Sequence, residues 1–205
     1  MSAFLGPIHY WLYNKISLQQ DVNRALYQLG SKHGLQLQQE CENRWGTFSD
    51  QPLESQIDTG NIHGWLQEQV SQAERQYAYS VTELTKRSPE LTASLLELME
   101  QKGSEQATAS ELPEAIPSPK EIFTLLSDQL LDGMPCDHAN RVVAQTDTEV
   151  IWSRNHCVHA PYWEELQGDI SLYYQLREAW IKGFLREYHY ALEKVDAVTY
   201  RAYLL

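Results

Sequence analysis

Apolar residues recur three or four positions apart through most of the chain, which is the spacing of amphipathic helices. Residues 7–29 carry Ile8, Trp11, Leu12 and Ile16 on one stripe and Val22, Ala25, Leu26 and Leu29 on another. The phase changes at Ser17-Leu18-Gln19-Gln20, which has the form of a capping box and predicts a kink or short break. Leu37, Cys41 and Trp45 mark a further helix that stops near Gly46, and residues 46–60 read as a loop. From Asn61 to about Arg87, Leu66, Val70, Ala73, Tyr77, Val81 and Leu84 form one long stripe. Ser88-Pro89-Glu90 then restarts a helix through Leu91, Leu95, Leu98 and Met99 that ends at Gly103.

Residues 103–117 are small, acidic and dotted with proline, so they read as a mobile, linker-like excursion. Ser118-Pro119-Lys120-Glu121 combines an N1 proline with a capping box and is the strongest helix start in the chain. The helix it opens closes at Asp132-Gly133. Asp169 caps a last long helix through Val195, with Tyr173, Leu176, Trp180, Phe184, Tyr188 and Ala191 on its buried face.

The helical period gives way near 141–153, where RVVAQ-TDT-EVIWS places two β-branched runs around a polar tip and predicts a β-hairpin. The last ten residues alternate weakly and read as a strand beside that hairpin or as a frayed tail. The expected fold is mainly α (α+β), a single domain over 1–205 with five to six helices and the hairpin lodged at one end of the bundle. A chain of 205 residues suits one domain with a large core.

Charge narrows the partners. A net charge of −12 with no basic cluster argues against nucleic acid and anionic membrane surfaces. The opening MSAFLGPIHYWLYNKI has neither a basic leader region nor a long apolar run, so it reads as neither a secretory signal nor a membrane span. Three cysteines fit a reducing compartment, with the cytoplasm as the default expectation. A P-loop, a dinucleotide glycine fingerprint, Gly-x-Ser-x-Gly, His-Glu-x-x-His and Cys-x-x-Cys are all absent from the sequence.

What chemistry the sequence offers lies between Gly133 and Trp163, which holds two of the three cysteines and three of the seven histidines. The tripeptide Cys-x-His occurs there twice, as Cys136-Asp137-His138 and Cys157-Val158-His159. With Asp147 and Thr148 at the hairpin tip, Thr146 faces Glu149, Cys136 faces His159 and His138 faces Cys157. Residues two apart on a strand share a face, so all four groups would project together. Thiolates with imidazoles suit zinc, with iron or another transition metal as the lesser choice, and Asp137 and His156 would stand in an outer shell. Pro135 and Pro161 flank the arms and oppose regular pairing near both copies.

Three functions follow from this cluster. The first is a metal-binding protein, or a metal-dependent small-molecule enzyme, using Cys136, His138, Cys157 and His159. The second is a metal-free hydrolase or transferase with Cys157 as nucleophile and His156 as base, in a pocket of Trp152, Tyr162 and Trp163. The third is a non-catalytic ligand- or partner-binding protein. The expected ligand is a small neutral or cationic molecule, and the oligomeric state is left open.

Overall fold

The computed structural model describes residues 4–109 and 115–205. Among them run seven α-helices, α1 (Pro7–Lys32), α2 (Leu37–Trp45), α3 (Ile62–Arg87), α4 (Leu91–Ala109), α5 (Pro119–Gln129), α6 (Ala160–Glu165) and α7 (Ile170–Arg186). Four strands complete the fold, β1 (Asn140–Gln145), β2 (Glu149–Arg154), β3 (Tyr190–Lys194) and β4 (Thr199–Leu204). The protein is therefore mainly α with a small β part, as its periodicity predicts. None of the helices among the described residues is long and apolar enough to cross a membrane. The chain divides into two compact units, each built from separate stretches.

The first unit joins the chain up to Ser88 with Asp128–Asp137 and His159–Gly168. α1 starts at Pro7, where the imidazole of His9 accepts the N–H of Gly6 at 2.8 Å. The break expected at Ser17 does not occur. Its hydroxyl donates to the carbonyl of Tyr13 one turn back, 3.0 Å away, so it is not available to cap a new helix. Leu12 and Ile16 of α1 pack with Leu66, Val70 and Ala73 of α3. Leu53 and Ile57, inside the expected loop, reach the same core, as do Leu131 and Met134 from the second stretch. Each long helix of this unit thus buries its apolar stripe, which is the main source of its stability.

The second unit takes Pro89–Ser127, His138–Val158 and Asp169–Leu205. Here Gly103 does not end α4 but lies inside it, because its missing side chain is needed where α4 crosses α7. A Cβ on Gly103 would stand 1.9 Å from the carbonyl oxygen of Trp180, and one on Gly183 would stand 1.9 Å from that of Glu100. Of the expected linker, 103–109 are helical, 110–114 lie outside the described residues, and the carbonyl of Pro117 accepts the Tyr190 hydroxyl at 2.7 Å. The capping box at α5 is present: Glu121 accepts the Ser118 N–H at 2.8 Å.

α7 stops at Arg186, short of the expected Val195. His189 takes a left-handed φ of 60°, which turns the chain out of the helix and into β3. Asp196 accepts the N–H groups of Val198 and Thr199, both at 2.8 Å, and closes the turn to β4. The strand expected at the C-terminus is β4, and it pairs with β2 beside the hairpin in an antiparallel sheet of order β1-β2-β4-β3. On its buried face Trp152 stacks on Tyr200 and packs against Phe123.

The hairpin turns where the sequence predicts, with the Thr146 N–H donating to Glu149 and Gln145 opposite Val150. Its register then departs from the prediction. A bulge between Val142 and Ala144 leaves Val143 unpaired, and Val142, Arg141 and Asn140 face Trp152, Ser153 and Arg154. The ladder ends there. Pro135–Asp137 forms a 3-10 turn and His138 has φ 48°, so the strand geometry assumed for Cys136-Asp137-His138 does not apply.

Candidate functional site

The bulge and the 3-10 turn together decide where the predicted site residues stand. Continuing the observed register would set His138 level with His156, one residue away from its expected partner Cys157. Cys136 and His159 belong to the first unit, and His138 and Cys157 to the second. Cys136, His138 and His156 are exposed, Cys157 is half-buried and His159 is 2 % exposed. Among the described residues no group of three or more His, Cys, Asp or Glu side chains is placed to hold a metal ion.

Two other constellations emerge. In the second unit the phenol of Tyr174 on α7 donates to Sγ of Cys157 at 2.9 Å. The Arg154 guanidinium, at the end of β2, lies over the Tyr174 ring with its carbon 3.8 Å from the ring centre. Burial, and then the hydrogen bond to Cys157, push the Tyr174 phenol well above its usual range, while Arg154 and Arg177 oppose the shift. The phenol therefore keeps its proton at neutral pH and is a permanent O–H donor to sulfur. A cation on the face of the ring withdraws electron density from it and strengthens that donor.

In the first unit His159 stands at the N-cap position of α6, and its ring is sandwiched between two carboxylates rather than capping the helix. Its Nδ1 lies 2.9 Å from Glu74 of α3, and its Nε2 lies 3.4 Å from Asp132. Burial alone would lower the imidazole pKa, but the charge of Glu74 and the hydrogen bonds to Asp132 and Glu74 outweigh it and raise it to about 9. At neutral pH the ring is an imidazolium that donates from both nitrogens. Each member comes from a different one of the three stretches that build this unit, so the triad clasps them together. Ser71 and Tyr162 add a hydroxyl pair at 3.1 Å, and Arg75 binds Glu165 at 3.0 Å.

The three residues expected to roof a pocket are placed apart in role. Trp152 lies in the core face of the sheet of the second unit, 5 % exposed. Trp163 is fully buried in the first unit, edge-on to Tyr77, and Tyr162 is half-buried and holds Ser71. Sequence reasoning missed Tyr174, Arg154, Glu74 and Asp132. Only Glu74 carried a signal: it sits four after Val70 and three before Tyr77, a carboxylate on the apolar stripe of α3. No family model matches this chain, and no curated protein or solved structure matches it.

Proposed function

We propose that this protein acts through Cys157 as a reactive thiol toward a small electrophilic molecule, in the manner of a hydrolase or transferase. The observation that carries the reading is the phenol of Tyr174 seated on Sγ at 2.9 Å beneath Arg154. A thiolate is the attacking form of cysteine. In this reading its sulfur forms a bond to an electrophilic carbon while the leaving group departs with the bonding pair. Water then attacks the S-linked intermediate in a hydrolase, and a second nucleophile does so in a transferase. Tyr174 holds the sulfur in one orientation and retains its own proton throughout. His156, the exposed residue before the nucleophile, is the base that this reading assigns to the thiol proton.

Metal binding by Cys136, His138, Cys157 and His159 has less support. An imidazolium has no lone pair to offer a metal, so ligation by His159 requires loss of a proton and displacement of a carboxylate. Site-resolved alkylation tests the thiol reading. Iodoacetamide should modify Cys157 readily and leave the fully buried Cys41 untouched. Inert Cys157 in the folded protein would refute it.

A further inference from the structure

Arg154, which stands over Tyr174 beside Cys157, is a cation without a counter-charge. Carboxylates are in surplus in this chain, 28 acidic side chains against 16 Lys and Arg, and four other arginines each bind one. Arg154 makes no ion pair among the described residues; its side-chain contacts are the Tyr174 ring and the carbonyl of Ala197, to which Nη2 donates at 3.4 Å. Arg44, Arg87 and Arg141 make no ion pair among the described residues either, but they are exposed, where water screens them, whereas Arg154 is half-buried. Its Nη1 is buried and has no hydrogen-bond partner. The end of β2 holds the residue in place, with its own N–H donating to Val198 at 2.9 Å.

That charge acts on the thiol. The guanidinium carbon is 3.8 Å from the centre of the Tyr174 ring, whose hydroxyl is 2.9 Å from Sγ of Cys157. The path through the ring keeps cation and sulfur within a Debye length, about 10 Å in dilute salt. Stacking on a ring leaves the charge in place, which an ion pair would not. Glu178 shares the surroundings of the Tyr200 phenol with Arg154 and Arg177, but it is held by Lys194 at 2.6 Å and by that phenol at 2.9 Å. A partly desolvated cation left uncompensated costs stability, and an anion placed beside it recovers that cost.

We propose, building on the thiol reading of Cys157, that its substrate is a small electrophile with a carboxylate or similar anionic group next to the reacting carbon. Arg154 is the residue that sets this specificity. Its delocalised charge draws the anionic group toward Cys157 through space, with no hydrogen bond from the buried Nη1 required. The sulfur then bonds to the electrophilic carbon, the leaving group takes the bonding pair, and the thiol proton passes to His156 or solvent. The net charge of −12 points to a neutral or cationic ligand, but the local charge at Cys157 has the opposite sign to that of the whole chain.

Iodoacetate and iodoacetamide test this, because they differ chiefly in charge and both transfer a carbon to sulfur with loss of iodide. Their alkylation rates at Cys157 of the intact protein at pH 7, resolved by mass spectrometry, give a ratio to set against that of N-acetylcysteinamide, a neutral free thiol. The iodoacetate-to-iodoacetamide ratio at Cys157 should exceed the reference by at least about three-fold. Arg154→Gln should bring it to the reference value, and Arg154→Lys, which keeps the charge, should retain at least about half of the preference, both with the helical circular dichroism unchanged. Any influence of Arg154 on the thiol through Tyr174 is common to the two reagents and cancels in the ratio. Ready alkylation by iodoacetamide with a ratio no higher than the reference overturns the anionic substrate and leaves the thiol reading standing. So does a preference that persists in Arg154→Gln. Failure of both reagents at Cys157 overturns the thiol reading itself, and this proposal with it.

Discussion

Replacing His159 by leucine removes the cation between Glu74 and Asp132 while filling a similar volume. The side chains of Glu74 and Asp132 are only 4 % and 18 % exposed, so the variant leaves two carboxylates facing each other with little water. Breaking a buried ion pair by deleting one partner costs about 3–5 kcal/mol, and that is the expected loss at neutral pH. The pH dependence gives a sharper signature. The folded-state pKa of His159 is about 9 against an ordinary 6.5. Its contribution is therefore fully present below pH 6.5 and is lost as the pH rises through 9, up to about 3 kcal/mol in total. His159→Leu abolishes this dependence, and acid should recover part of its stability by neutralising the orphaned carboxylates. Urea denaturation followed by circular dichroism between pH 5 and pH 10 measures both curves. A variant within about 1 kcal/mol of the parent, with the same pH profile, would refute the clasp.

Gly183→Ala should destabilise the second unit by about 1–3 kcal/mol or more, read as a fall in urea midpoint, because its Cβ meets the Glu100 carbonyl oxygen at 1.9 Å. An unchanged midpoint would show that α4 and α7 do not approach so closely. Elemental analysis of protein purified without chelator separates the metal reading from the thiol reading. About one equivalent of zinc, lowered by Cys136→Ser or Cys157→Ser, is the outcome of the first. Substoichiometric metal with freely alkylated Cys157 is what the second expects.

Helices were legible wherever one face carries the burial. The stripe from Leu66 to Leu84 and the capping box at Ser118 read directly into α3 and α5. Gly103 misled because glycine both ends helices and permits their close crossing, and only the partner helix distinguishes the two uses. β3 was hidden because Tyr188 and Ala191 prolong the apolar spacing of α7, whereas the positive φ at His189 is a backbone event without an apolar signature. At the candidate site the obstacle was a single residue. Two-residue alternation cannot reveal the extra Val143, yet that bulge moves every upstream partner by one position. Tyr174 and Asp132 are remote in sequence from Cys157 and His159, and only the fold brings each to its partner.

The reactivity of Cys157 tests the central claim most directly, and the chain supplies its own controls. Cys136 is exposed, and Cys41 is buried with its thiol pKa raised chiefly by that burial. Alkylation rates for iodoacetamide at pH 7, resolved by mass spectrometry of each cysteine peptide, should place Cys157 at least about ten-fold above Cys136 despite its lower exposure. Tyr174→Phe removes only the hydroxyl and should bring Cys157 down to the Cys136 rate or below, with Cys136 itself unaffected. A Cys157 that reacts no faster than Cys136, or whose rate is unchanged by Tyr174→Phe, would contradict the proposed thiol chemistry.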